Sequence, residues 1–222
     1  MTKDTTSKPL TAISETAARV SFAAAAAFVI LLAALHFLEP EFDPSWRFIS
    51  EYELGRYGWI MVLAFLSLAV SYIALFIAIR SQLKTIMGRI GLALLLVSAV
   101  GLAMGGIFTT DPITTSPDAA TTSGMLHNVG GTLGLAMTFA AVIISWILSR
   151  DPAWSVARRQ LLWAASIAVA CTIAFIVITI MVLPSDGKFG PDVLIGWPNR
   201  VEILAYTAWL MVVARQAIRV RG

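Results

Sequence analysis

Six apolar runs, each long enough to cross a lipid bilayer, limit this chain to one class of fold. A hydrocarbon core about 30 Å thick is spanned by about 20 residues of helix. The stretches near Ala17–Leu38, Tyr57–Ile79, Ile86–Phe108, Met125–Leu148, Gln160–Leu183 and Val201–Ile218 reach that length. Backbone N–H and C=O groups find no water in lipid, so such runs close their hydrogen bonds internally as helices. Composition agrees: 58% of residues are hydrophobic and only 13% are charged, where a soluble domain carries roughly 25%. The polar stretches between the runs are too short to fold as separate domains. The expected fold is an all-α membrane protein, a six-transmembrane-helix bundle over residues 17–218. Short cytoplasmic tails flank it at 1–16 and 219–222, the first of them polar and disordered. The first run is a span rather than a cleaved signal peptide, because a polar stretch precedes it and Glu39-Pro40 follows it.

Orientation is read from Lys and Arg. The N-terminal segment, the loops near 80–89 and 150–159, and the C-terminal segment carry twelve of the sixteen basic residues. The opposite side keeps Arg47, Arg56, Lys188 and Arg200. Both termini are therefore expected in the cytoplasm, with the protein in the cell (inner or plasma) membrane. Acidic residues reverse the pattern, and ten of thirteen fall on the outer side. Insertion does not require that second asymmetry, so it marks the outer face as a candidate working surface.

The net charge of +3 comes from basic residues scattered at helix ends, which excludes a nucleic-acid-binding surface. The single cysteine, Cys171, excludes an intrachain disulfide and any cysteine-based metal cluster. In lipid, helices associate by close approach at small residues. Gly101-xxx-Gly105 in the third run and Gly130-xxx-Gly134 in the fourth are the expected faces of such contact. The same glycine-rich faces are candidate surfaces for homo- or hetero-oligomers.

Polar residues gather at the outer ends of the runs. His36 closes the first, ahead of Glu39, Glu41 and Asp43. Ser50 and Glu53 have capping-box spacing, which predicts a helix from Ser50 to Arg80 with Glu51, Gly55 and Gly58 along one side. Asp111 follows the third run. Ser123 is placed to cap a helix carrying His127 and Asn128 in its first turns, and Pro184-Ser185-Asp186-Gly187 is a turn signal. Arg200 opens the sixth run. A cation at a helix N-terminus and an anion beyond a C-terminus are both disfavoured by the macrodipole. An ion pair of Arg200 with Asp111 or Glu51 is therefore expected to close the outer end of the bundle. His36, Ser50, Glu51, Asp111, His127, Asn128 and Arg200 form the candidate site.

These stretches resemble a family of prokaryotic integral membrane proteins, domain of unknown function 998. The resemblance is carried by His36 with its acidic-Pro stretch, Ile49-Ser50-Glu51-Tyr52-x-Leu54-Gly55-x-Tyr57-Gly58-Trp59, Gly106-Ile107-Phe108-x-Thr110-Asp111-Pro112, Leu126-His127-Asn128 and Gly196-Trp197-x-Asn199-Arg200. It implies a six-helix membrane protein and brings no activity with it.

Three readings of function stay open. One is a small transporter or binding protein for a lipid or small molecule, its cavity opening outward, with any glycine hinge in the third or fourth run. A second is a non-catalytic assembly protein. The third is a metal-assisted enzyme at the outer leaflet, with His36, His127 and Asp111 as candidate ligands, although no metal-binding spacing such as HExxH is present. The sequence specifies no cofactor and no substrate.

Overall fold

The computed structural model describes residues 12–182 and 189–220. The tail residues 1–11 and 221–222 and the turn at Pro184–Gly187 lie outside the described residues. The described residues form seven α-helices: α1 (Ala12–Leu38), α2 (Gly58–Ile79), α3 (Ile86–Ile107), α4 (Thr122–Gly134), α5 (Ala136–Leu148), α6 (Arg158–Val182) and α7 (Gly196–Arg219). They make six bilayer-length crossings, because α4 and α5 together form one. Each crossing packs on its neighbours in sequence, and α7 returns against α1 and α2 to close the ring. One end of the bundle gathers the basic loops. The other, here the acidic end, gathers segment 39–57, segment 108–121 and the start of α7.

Buried polar pairs fasten apolar helices to one another. Ser71 Oγ donates to the Ser21 carbonyl at 2.8 Å between α2 and α1, and Trp209 Nε1 donates to Ser145 Oγ at 2.8 Å between α7 and α5. At the basic end Trp154, fully buried in a 3-10 turn, donates to Gln82 Oε1 at 2.8 Å. The expected glycine contact is present. A Cβ on Gly130 would lie 2.7 Å from the Gly101 carbonyl oxygen, and one on Gly101 would overlap the Gly130 carbonyl. These backbones touch because no side chain stands between them.

Two local expectations are corrected, and one crossing carries an interruption. Residues 12–16 belong to α1 rather than to a tail. No helix runs from Ser50 to Arg80: a 3-10 turn occupies Ile49–Leu54, the chain bends at Gly55, and α2 begins at Gly58. Two carboxylates enforce the bend. Glu51 reaches back to the Phe48 N–H at 3.1 Å, and Glu39 accepts from the Tyr57 N–H. The Glu39 carboxylate occupies the space a Cβ on Gly55 would need. Finally, the fourth crossing is interrupted at Leu135, whose N–H bonds to the Thr132 carbonyl at 3.2 Å, three residues back. Glycines at 130, 131 and 134 leave few side chains to hold a regular helix there.

Candidate functional site

Arg200 organises the acidic end. It lies in the first turn of α7, only 2% exposed, and reaches into segment 39–52. Its Nε donates to His36 Nε2 at 2.9 Å, and its Nη1 donates to the carbonyls of Arg47 at 2.6 Å, Gly196 at 3.1 Å and Pro44 at 3.4 Å. Nη2 donates to the Tyr52 hydroxyl at 3.3 Å, and the guanidinium faces the rings of Tyr52 and Trp197. His36 Nδ1 lies 2.8 Å from the Leu32 carbonyl. The network therefore assigns the neutral ring with its proton on Nδ1, and both ring nitrogens are engaged. Burial pushes the Tyr52 hydroxyl pKa above its ordinary value, against the opposing pull of Arg200.

The expected ion pair of Arg200 with Asp111 or Glu51 does not form. Carbonyl dipoles and an imidazole stabilise the guanidinium instead. Glu51 accepts from Arg47 Nη1 at 2.6 Å and from the Ile113 N–H at 2.9 Å. Asp111 accepts from the N–H and the hydroxyl of Thr121, each at 2.8 Å, at the N-terminus of α4. The macrodipole favours an anion at that pole, so the chain after α3 folds back to place Asp111 there. The cap of α4 is Thr121, whose hydroxyl accepts from the Gly124 N–H at 3.0 Å. Ser123, expected in that role, donates to the Thr109 carbonyl at 2.9 Å.

A second cluster ties the 3-10 turn to α3 and α4. Glu53 Oε2 accepts from the Thr110 N–H at 3.1 Å and lies 3.6 Å from His127 Nδ1. His127 Nδ1 is itself 2.8 Å from the Phe108 carbonyl. The other oxygen of Glu53, Oε1, is buried with no hydrogen-bond partner among the described residues. Burial pushes the Glu53 carboxyl up to about 7, the Thr110 bond opposing it.

Beside these clusters lies a cavity of about 780 Å³, reaching from the loops of the acidic end to Tyr72 and Tyr206 between the helices. On the α4 side Asn128, Gly131 and Thr132 are exposed towards it. A Cβ on Gly131 would meet nothing within 4 Å. On the α7 side stand Asn199, Glu202, Ile203 and Tyr206. Glu202 is 5% exposed, and at ~1.5 Å per residue it lies about 9 Å along the helix from Gly196. Its Oε1 accepts only a 3.4 Å bond from the Tyr206 hydroxyl. That hydroxyl is closer to Thr138 Oγ1, at 2.7 Å, and to Thr172 Oγ1.

The seven residues expected from sequence thus divide in two. Ser50, Asp111, His127 and Asn128 line the cavity, whereas His36 and Arg200 form a lock on segment 39–52 beside it, and Glu51 is held by Arg47 and Ile113. The structure does not unite His36, His127 and Asp111. No group of three His, Cys, Asp or Glu side chains placed to hold a metal ion occurs among the described residues. Sequence reasoning missed Tyr52, Glu53, Glu202 and Tyr206. The one available signal was a Glu and a Tyr four residues apart inside an apolar span, where an ionisable side chain generally faces a cavity or partner.

Six bilayer-length helices around a buried polar cluster and a cavity define a multi-pass helical membrane protein. The family model described as "Protein of unknown function (DUF998)" matches residues 22–216, and the chain belongs to that family. No curated protein and no solved structure matches it.

Proposed function

We propose that this protein binds a small amphipathic molecule within the membrane and moves it across or releases it at the outer face. On this reading it sits in the cell membrane with both termini cytoplasmic and its acidic end outward. The observation that carries the proposal is Glu202: a buried carboxyl in a bilayer-spanning helix, lining the cavity, with no cationic partner within ion-pair distance among the described residues. Such groups are costly in an apolar setting and tend to mark ligand or ion paths. The cavity volume falls within the ~300–1,000 Å³ typical of ligand pockets. The interruption at Leu135 adds support, since transporters often carry broken helices beside the substrate site. The outer-leaflet metal enzyme loses support because both nitrogens of His36 already have partners.

The test uses a Cys171→Ala background. Thr132→Cys, in the cavity, reacts with N-ethylmaleimide in reconstituted liposomes, whereas Val142→Cys, exposed on α5 outside the cavity, does not. 4-Phenylbutanol slows labelling at Thr132→Cys in a saturable manner. Equal labelling at the two positions, or no protection by any amphiphile, would overturn the proposal. The orientation is checked separately: an impermeant sulfonated maleimide added to intact cells labels Asp118→Cys only if the acidic end faces outward.

A further inference from the structure

The charge inventory of the cavity points to one class of ligand. Its titratable lining side chains are Asp111, His127 and Glu202, with Tyr72 and Tyr206 deeper, and no Lys or Arg is among the described residues that line it. Asp111 is already held by Thr121, and His127 by the Phe108 carbonyl. The nearby cations lie outside the lining, Arg200 in its lock and Arg47 on Glu51, with the Arg47 Nε unpartnered among the described residues. Glu202 therefore has capacity to spare. A hydroxyl carries one proton, and the Tyr206 proton has nearer acceptors than Glu202. Glu202 Oε2 has no hydrogen bond among the described residues.

The walls supply a second, independent observation. Phe48, Phe65, Tyr72, Phe175, Phe189 and Tyr206 line the same space. Aromatic faces attract cations through the ring quadrupole, more strongly where water is excluded. An anionic ligand would meet carboxylates with no Lys or Arg among the described lining residues to offset them. A metal cation would need several oxygen ligands, and no three acidic or imidazole groups converge here among the described residues.

We infer that the ligand is an organic cation, an ammonium with an apolar or aromatic body, whose charged head lies against the Glu202 carboxylate and whose body lies against the aromatic wall. This rests on the cavity reading proposed above. The test extends the protection assay at Thr132→Cys to three probes that share a phenylbutyl tail: 4-phenylbutylammonium, 4-phenylbutanol and 4-phenylbutyrate. The ammonium is expected to protect at least tenfold more tightly than the alcohol, and the carboxylate least of all. Glu202→Gln should abolish the advantage of the ammonium over the alcohol, and a melting transition like the parent's shows that the variant is folded. Tyr72→Phe serves as a second variant, retaining the aromatic face and the preference. Equal protection by ammonium and alcohol, or a preference for the carboxylate, would overturn the cation assignment while leaving the cavity reading intact. Protection by none of the three would sink both.

Discussion

Replacing Arg200 by Ala removes the side chain that holds the start of α7 to the segment following α1. The magnitude can be worked from its partners. The Arg47 carbonyl and His36 Nε2, both on half-buried residues, lose donors at 2.6 and 2.9 Å. The contacts at 3.3 and 3.4 Å to Tyr52 and Pro44 are longer and count for less. Gly196 keeps its carbonyl bond within the helix. Two half-buried acceptors left without donors fall at the low end of the ~1–3 kcal/mol each that such a loss costs, about 2 kcal/mol together. For a chain of this size each kcal/mol lowers Tm by ~2–4 °C, so a drop of roughly 4–8 °C is expected. Thermal unfolding of detergent-purified protein, followed by tryptophan fluorescence, measures it. Arg200→Lys keeps the charge without the planar fork and should fall between parent and Ala. An Ala variant within about 2 °C of the parent, less than ~1 kcal/mol, would refute the view that this network holds the acidic end together.

Three further outcomes follow from the same geometry. Glu53, with its carboxyl raised in the folded protein from 4.5 to about 7, contributes stability that is full below pH 4.5, declines as pH rises to about 7 and stays lost above. Glu53→Gln should therefore raise Tm at pH 7.5 and change it little at pH 4.5; an unchanged pH profile would contradict the assignment. Gly101→Ala drives a Cβ into the Gly130 backbone and should cost ~1–3 kcal/mol, whereas Gly131→Ala enters open space and should be neutral or slightly stabilising; paired melting curves compare them. Ser145→Ala strands the buried Trp209 N–H and should cost ~1–3 kcal/mol, detectable as a lower Tm with a shifted tryptophan emission maximum.

The six crossings were legible because length and apolarity alone decide whether a segment spans a bilayer. The Gly101–Gly130 approach was legible for a related reason: close packing in lipid leaves glycine as its sequence mark. The polar residues were recognisable as a set, but their partners were not. The Ser50–Glu53 spacing suggested a helix start, yet the carboxylates competing for N–H donors there include Glu39, which approaches from just past the end of α1. Arg200 and Asp111 looked complementary in charge. Three-dimensional folding offered Arg200 a ring of carbonyls and Asp111 the N-terminus of α4, and neither arrangement leaves a trace in local spacing. Glu202 is one of the ten acidic residues that the sequence places on the outer side, because it stands at the boundary of the sixth run. Its burial follows from α7 beginning at Gly196, five residues earlier than hydropathy indicates.

The Arg200 network also bears on how the protein is made. Its acceptors His36, Pro44, Arg47 and Tyr52 all leave the ribosome well before α7, and the guanidinium they await lies 153 residues beyond Arg47. At ~5–20 residues per second, translation of that interval takes roughly 8–30 s. Throughout it, α1 and α2 can pair through Ser21 and Ser71, but the segment between them lacks its closing donor. A chain truncated before α7 would keep its early hairpin and still display an unfinished end. Until α7 arrives, the carbonyls of Pro44 and Arg47 and the His36 ring are without the donor that engages them in the folded protein.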